Sequence, residues 1–185
     1  MPTSGLPDHS RIWVFGAAAP LTAAQRETLD ADLAGFVRGW AAHGSALVAG
    51  HEIVEDAFVI VAVDETAQGA SGCSIDAMVR HLGELEGRLG IELLDGSRIW
   101  YRTGGGGIVS CDRAEFGSLS EQGDIDAATP VFDPTIETLG ELRAGRLERS
   151  AGRSWHARLL RLPGSAPAPD PAPDPSPDRD LSPAS

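Results

Sequence analysis

The sequence predicts an α+β fold: a ferredoxin-like βαββαβ core with an added hairpin strand and an irregular C-terminal extension. Two segments have the apolar spacing of amphipathic helices, and each of them follows a run of β-branched and aromatic residues. One further strand-like run lies between the first helix and the run before the second helix, and another follows the second helix. The order of the first six elements is that of the ferredoxin-like sandwich.

A chain of 185 residues is long enough for one domain with a real core and too short for two of ordinary size. We predict a flexible N-terminus over residues 1–9, a single α+β domain over 10–162 and a disordered Pro-rich tail over 163–185. The tail alternates Pro with Ala, Asp and Ser, so it has few backbone donors and almost nothing apolar to bury.

The first strand and the first helix have clear signals. β-Branched and aromatic residues predict a strand over 11–15. Thr22, with Gln25 three residues later, forms a capping-box pattern that predicts a helix start, and Gly44 is the expected stop. One face of this helix is apolar and carries Leu29, Leu33, Phe36, Val37 and Trp40.

The middle of the domain continues as two strands and a second helix. We predict strands over 46–53 and 58–64, joined tightly through residues 55–56. The second helix is expected to begin near Ser74 and to end at Gly90. Its apolar stripe consists of Ile75, Met78, Val79, Leu82, Leu85 and Leu89.

The last third of the domain has weaker signals. Strands over 98–102 and 108–111 flank the glycine run 104–107 and predict a hairpin. A short helix over 113–119 and a strand over 129–132 follow. We expect the remainder to be irregular, with some strand at its end.

Composition excludes several classes of partner. The formal net charge is −12, whereas nucleic-acid binders usually present a basic patch that neutralises phosphates. No apolar run approaches the roughly 20 residues of a membrane span. The first nine residues do not have a signal-peptide pattern. We therefore expect a cytoplasmic protein with no nucleic-acid partner and no membrane insertion.

The sequence contains no lysine, which excludes a Walker-type phosphate loop and a Schiff-base mechanism. Cys73 and Cys111 have no metal-site spacing, and we expect both to be reduced thiols. The five histidines match no common ligand pattern. We therefore predict no metal and no cofactor.

Several motifs are arranged as in a known family. They are Ser10-Arg11-Ile12-Trp13, Trp40 with His43-Gly44, Val63-Asp64-Glu65, Ser71-Gly72-Cys73-Ser74-Ile75-Asp76, Val131-Phe132-Asp133 and Ser154-Trp155-His156-Ala157-Arg158. Together they resemble an uncharacterised family of small bacterial proteins that often carry the label "ABC transporter ATPase". The resemblance spans roughly residues 10–160 and implies no established mechanism.

The ATPase label conflicts with the chemistry of this chain. A phosphate-binding loop of the Walker type needs a lysine, and this sequence has none. The glycine tract 103–107 stands between two predicted strands, whereas a phosphate site uses the amides and dipole at a helix start. We therefore do not expect an ATPase.

The segment Ser71-Gly72-Cys73-Ser74 is the sharpest candidate site. Either Ser71 or Ser74 caps the second helix, and both alternatives leave Cys73 near unpaired amides and the positive end of the helix dipole, which favour a thiolate. Strand-loop-helix corners also often carry ligands. The binding residues predicted at this corner are Ser71, Gly72, Ser74 and Asp76.

A nucleophilic Cys73 needs a base. His156 and His43 are the candidates, and Asp64 or Asp76 could orient the imidazole. The alternative is a small buried cysteine packed under the helix start, because free cysteine is among the most buried residue types.

The aromatic strands are the second hypothesis. Alternation along a strand puts Arg98, Trp100 and Arg102 on one face. In the first strand, Trp13 and Phe15 share a face for the same reason. If these faces coincide away from the helices, a Trp between two arginines could hold a flat anionic molecule.

The alternative is that the C-terminal segment folds back over this face. Trp155 belongs to that covering segment in this interpretation. In the ligand hypothesis, Trp155 and Arg158 join the binding residues.

The function predicted from these patterns is a non-catalytic module that binds a small molecule or a protein, or regulates one. A cysteine-dependent enzyme is the first alternative, with Cys73 as nucleophile and His156 as base in acyl transfer or thiol redox chemistry. A structural subunit of a larger assembly is the second. The ligand, the partner and the oligomeric state stay open.

Overall fold

The structure is a computed structural model, and it describes residues 2–161. Residues 2–9, predicted to be flexible, pack on the domain: Thr3 and Leu6 are buried, and Pro2 bridges to His51. The predicted Pro-rich tail, residues 163–185, lies outside the described residues, so that prediction stays untested.

The first half of the domain alternates strands with two long helices. Its elements are β1 (Arg11–Gly16), α1 (Ala23–Gly39), β2 (Ala41–Ala42), β3 (Ser45–Ala46), β4 (Val48–Val54), β5 (Phe58–Asp64) and α2 (Gly72–Leu89). The second half is built from shorter pieces. They are β6 (Ile99–Arg102), β7 (Ile108–Cys111), α3 (Arg113–Gln122), β8 (Pro130–Phe132), α4 (Leu139–Arg143) and β9 (Glu148–Ser150).

These elements form an α+β fold with two stacked antiparallel sheets. The first sheet has the order β1-β5-β4 and the second the order β7-β6-β8-β9. Helices α1 and α2 cover the outer face of the first sheet, and α3 with the C-terminal turns covers the outer face of the second. The described residues therefore form four layers, helix, sheet, sheet and helix.

Strand β5 shows how the layers meet. Val59, Val61 and Val63 face the helices, while Phe58, Ile60 and Ala62 face the second sheet. All six side chains are fully buried. A strand buried on both faces has a continuous apolar run, which is the pattern of this segment in the sequence.

The ferredoxin-like topology is not confirmed. The sheet order β1-β5-β4 agrees with it for three strands, but β6 does not pair with β1 and instead pairs with β7 and β8. The reason is burial, because β6 has large side chains on both faces. Trp100 packs between the sheets against Phe58 and Phe132, and Ile99 packs on the opposite face in the cluster of Phe116. A position beside β1 would cover only one of these faces.

The helix signals are confirmed at three of four ends. The capping box of Thr22 is formed at α1, and Gly90 ends α2 with a left-handed conformation at φ 62°. Ser71 is the cap of α2, so the helix begins at Gly72. Helix α1, however, ends at Gly39, because the chain turns into the β2–β3 hairpin, whose turn contains Gly44 at φ 80°.

The C-terminal part of the domain is more regular than predicted. Helix α4 and strand β9 occupy a region expected to be irregular, and β9 pairs with β8 at the edge of the second sheet. Arg102 of β6 stabilises this edge, because its guanidinium donates to both carboxylate oxygens of Glu148 at 2.7 and 2.8 Å.

Candidate functional site

The start of α2 is a tightly capped helix entrance. The Ser71 side chain accepts from the amide of Ser74 at 3.3 Å, and the Ser74 hydroxyl accepts from the amide of Ser71 at 2.8 Å. Trp40 Nε1 donates to the carbonyl of Ser74 at 2.9 Å. Cys73 lies in the first helical turn and is exposed, so the alternative of a buried cysteine is wrong. Gly72 and Asp76 are also exposed.

The proposed base His156 lies far from this entrance. It is fully buried on the α3 side of the second sheet, where its ring stacks on Trp155 with centroids 3.8 Å apart. Its Nδ1 lies 2.9 Å from the hydroxyl of Ser154, and burial lowers its pKa to about 4. Because two sheets separate His156 from α2, the structure contradicts the Cys73–His156 pair.

The second candidate base and the carboxylates that could orient an imidazole are either bound to other groups or exposed. Asp64 accepts from the hydroxyl and the amide of Thr66, which hold the pKa of that carboxyl below its usual value, and His9 lies 3.4 Å away. His43 is exposed in the β2–β3 turn. Among residues 2–161, no hydrogen bond or ion pair reaches the sulfur of Cys73. The corner therefore presents a free thiol without a positioned base.

Cys73 and Cys111 should differ strongly in their rate of alkylation. We expect iodoacetamide at neutral pH to alkylate Cys73 in the native protein and to leave Cys111 unmodified. Cys111 is 2% exposed, and burial raises its pKa to about 11. Peptide mass mapping after a short reaction measures this, with urea-unfolded protein as the control in which both thiols react. Equal labelling of the two in the native state would contradict the structure.

The aromatic strands do not form one ligand face. Trp100 is buried between the sheets, and its Nε1 donates to the carbonyl of Ala17 at 2.7 Å. Trp13 points to the helix side and meets Trp40 edge-on at 6.0 Å. The guanidinium groups of Arg98 and Arg102 are engaged by carboxylates of this chain. The flat anionic ligand between two arginines is therefore ruled out at this position.

The inner face of the first sheet is covered, in part by the C-terminal segment as in the alternative above, but without Trp155. The second sheet covers it through Trp100 and Phe132, with Leu139 and Leu147 beside them. Trp155 lies on the far side of the second sheet, and its Nε1 donates to Asp133 at 3.2 Å. Arg158 is exposed at the end of the described chain.

The structure reveals a site that the sequence did not predict, on the outer edge of β1. Segment 137–139 runs antiparallel beside the first residues of this strand. The amide of Ile12 donates to the carbonyl of Glu137 at 2.9 Å, and the amide of Leu139 donates to the carbonyl of Ser10 at 3.0 Å. The segment therefore acts as a very short fourth strand at one end of β1.

This pairing stops after one bridge, and a groove opens beside the rest of β1. Backbone groups alternate between the two edges of a strand, so the N–H and C=O of Val14 point outward like the amide of Ile12. No hydrogen bond within residues 2–161 engages them. The β1-edge groove, about 510 Å³, lies between residues 12–15 and the diverging segment 134–138.

Charged residues stand at the Arg11 end of this groove. The Arg11 guanidinium lies over the Trp13 ring at 4.6 Å and 3.8 Å from the Glu65 carboxylate. Glu65 also accepts from the amide of Ala70 at 3.1 Å, which ties this end to the loop before α2. Glu137 is exposed on the opposite wall. The groove thus joins an apolar strand edge to a charged end.

Sequence reasoning missed this groove because an open strand edge has no motif. One signal was present, the Asp133-Pro134-Thr135 sequence directly after a predicted strand. Asp before Pro favours a turn, and Pro cannot donate to a ladder. The sequence therefore indicated where the chain would leave the sheet, but not which neighbour it would leave unpaired.

Within residues 2–161, no group of three or more His, Cys, Asp and Glu side chains is arranged to hold a metal ion. No helix in this part of the chain is both long and apolar enough to cross a membrane. Comparison with protein-family models, curated proteins and solved structures finds no match. The resemblance to the small bacterial family therefore stays a prediction.

Proposed function

We propose that this chain is a cytoplasmic, non-catalytic binding module that takes up one extended segment of a partner protein along the β1-edge groove. The observation that carries the proposal is the unpaired N–H and C=O of Val14 on an open strand edge. An extended peptide that adds to such an edge gains main-chain hydrogen bonds, and its alternate side chains supply specificity.

The arrangement of the first sheet supports this mode of binding. We propose that β1, β5 and β4, with α1 and α2, correspond to a ferredoxin-like sandwich that lacks its fourth strand. The missing strand would pair with β1, where the groove now lies. An incoming peptide would complete the sheet.

The shape of the groove favours a single strand over a second copy of the chain. Residues 134–136 form an outer wall, so the groove has two sides. The edge of another folded sheet carries its own neighbouring segments, which would meet this outer wall. A volume of about 510 Å³ suits a few extended residues and lies within the usual range for ligand sites, about 300–1,000 Å³.

The lining residues indicate the chemistry of the partner. Side chains next to Trp13 and Phe15 would lie against partly buried aromatic rings, which favours apolar residues at alternate positions. At the charged end, Glu65 and Glu137 outnumber Arg11, and the whole chain carries a net charge of −12. We therefore propose an extended apolar segment with a basic residue at this end.

Replacement of Val14 by proline tests the proposal. Val14→Pro removes the outward N–H and leaves the bonds to β5 intact, because the amides of Trp13 and Phe15 make them. The probe is a peptide selected from phage-displayed random octapeptides on the wild-type protein, with affinity measured by fluorescence polarisation. We expect Val14→Pro to weaken binding by up to about tenfold, since the one hydrogen bond that is lost contributes about 0.5–1.5 kcal/mol.

Val14→Ala is the matched control, because it also removes the branched valine side chain but keeps the N–H. We expect it to bind the selected peptide almost as the wild type does. Equal affinities of the Pro and Ala variants, or a selection that enriches no peptide, would overturn the proposal.

A cysteine-dependent enzyme stays the second proposal, and the exposed Cys73 is the observation that favours it. It requires a base supplied by a partner or a substrate, because no described residue is positioned as one. Alkylation of Cys73 across pH tests it. A thiol that reacts with the ordinary reference pKa of about 8.5 would exclude the enzyme.

A further inference from the structure

The groove is open because the chain that could fill it is held away. Arg11 bridges to Thr138 in an antiparallel register, so each step forward in β1 is a step back in the segment. Continuation of this ladder would bring Thr135 opposite Val14. These two residues would then exchange two backbone hydrogen bonds, and the groove would close.

The amide of Glu137 donates to the Glu141 carboxylate at 3.0 Å instead of to β1, and at the next step Asp133 binds Thr135. The Oδ1 atom of Asp133 accepts from the amide of Thr135 at 3.1 Å and from the Thr135 hydroxyl at 2.5 Å. The amide that would pair with Val14 is therefore already used. Pro134, between them, has no N–H and adds nothing to a ladder.

The competition between the two arrangements favours the open one. A hydrogen bond to a charged acceptor contributes more to stability than a hydrogen bond between two neutral groups. Asp133 offers such an acceptor to both donors of Thr135. Closure would exchange these bonds for two neutral ones on the edge of a sheet.

Asp133 is itself fixed by the second sheet and by the C-terminal segment. Its amide donates to the carbonyl of Leu147 at 2.7 Å, and its Oδ1 also accepts from Trp155 Nε1 at 3.2 Å. The residue is 8% exposed, and Trp155 is in turn stacked on the buried His156. The Ser154–His156 segment thereby supports the carboxylate that holds Thr135.

We propose that Asp133 is the positioning residue that keeps the β1-edge groove open, by holding Thr135 away from Val14. This inference rests on the proposed function for its biological meaning, since it assigns the control of the same site. Loss of the carboxylate converts the groove into an internally paired edge that excludes the partner segment.

Amide hydrogen exchange of Val14, measured by NMR on the free protein, tests the inference without any peptide. We expect fast exchange in the wild type and exchange slowed about tenfold or more in Asp133→Ala, because the amide becomes hydrogen-bonded to Thr135. The octapeptide selected on the wild type should lose affinity for this variant to a similar degree.

A double variant separates positioning from general damage. Asp133→Ala with Thr135→Pro removes the N–H that closes the groove, and we expect fast exchange at Val14 and peptide binding to return. In Thr135→Pro alone, the Val14 amide should exchange as fast as it does in the wild type. If Asp133→Ala does not fold, Asp133→Asn keeps the shape with a weaker acceptor and should show a smaller slowing.

The outcomes distinguish the two proposals. Fast Val14 exchange in every variant, with peptide binding retained, overturns the role of Asp133 and leaves the groove as a binding site. Slow exchange in the free wild-type protein overturns the open edge and with it the proposed function. Failure of the double variant to recover, while it remains folded, overturns the positioning role.

Discussion

Gly16→Ala is expected to lower the free energy of unfolding by about 3 kcal/mol, the upper part of the usual range for overpacking a core. A Cβ at this position would lie 2.4 Å from two atoms of the Trp100 ring and 2.9 Å from a third. The ring cannot easily move aside. It is 2% exposed, and its Nε1 is bonded to the carbonyl of Ala17.

Chemical denaturation of Gly16→Ala measures the loss, and Gly72→Ala is the matched control. A Cβ at Gly72 meets no atom within 4 Å, and the residue lies in the first turn of a helix, so we expect little change or a slight gain. Trp100→Phe should make room for the added methyl group. The double variant should therefore lose less than the sum of the two single losses.

The second large effect is the pH dependence that His156 imposes. We expect its burial to make the protein about 3 kcal/mol less stable at pH 4 than at pH 6.5. The pKa of His156 falls from its ordinary 6.5 to about 4 because burial disfavours the charged ring, an effect that the nearby Asp133 carboxylate partly opposes. The unfolded state binds a proton below pH 6.5 and the folded state does not until about pH 4, so stability falls as the pH falls through this window.

Urea unfolding at several pH values between 7 and 4 measures this effect. His156→Phe keeps an aromatic ring against Trp155 but cannot be protonated, so the part of the pH dependence due to His156 should disappear. His43→Asn replaces an exposed histidine and serves as the control. The assignment is wrong if His156→Phe retains the full pH dependence of the wild type.

Local signals in the sequence predicted the helix starts well. Thr22 and Ser71 both accept from an amide three residues ahead, so the determinants lie within one turn of the chain. The hairpin through Glu55 and Asp56 is also confirmed, and both residues have the positive φ that such a turn requires. These features need no distant partner.

The end of α1 was mispredicted because a distant contact determines it. Trp40 leaves the helical conformation, at ψ 127°, and its Nε1 reaches the carbonyl of Ser74, 34 residues away. Trp40, which the apolar spacing assigns to the helix, instead joins the end of α1 to the start of α2. The glycine expected to stop the helix serves a hairpin turn.

In the candidate site, too, the sequence predicted the local features and not the contacts between distant residues. The capped entrance around Cys73 was predictable from Ser71 and Ser74, whereas the distance to its supposed base was not. His156 belongs to a different layer because β6 forms a second sheet rather than joining β1. Because β6 pairs in the second sheet, the outer edge of β1 at Val14 stays unpaired.

The sequence alone determined the α+β class, the helix starts and the apolar alternation of the strands. These depend on hydrogen bonds and side-chain spacing within a few residues. Only the tertiary structure decided which strands pair, which faces are covered and which edge stays open. Pairing joins residues far apart in the chain, and it is selected by the burial of Ile99 on one face and Trp100 on the other at once. No local sequence pattern encodes burial on both faces of β6 at once. The groove beside β1 is open because β6 pairs in the second sheet.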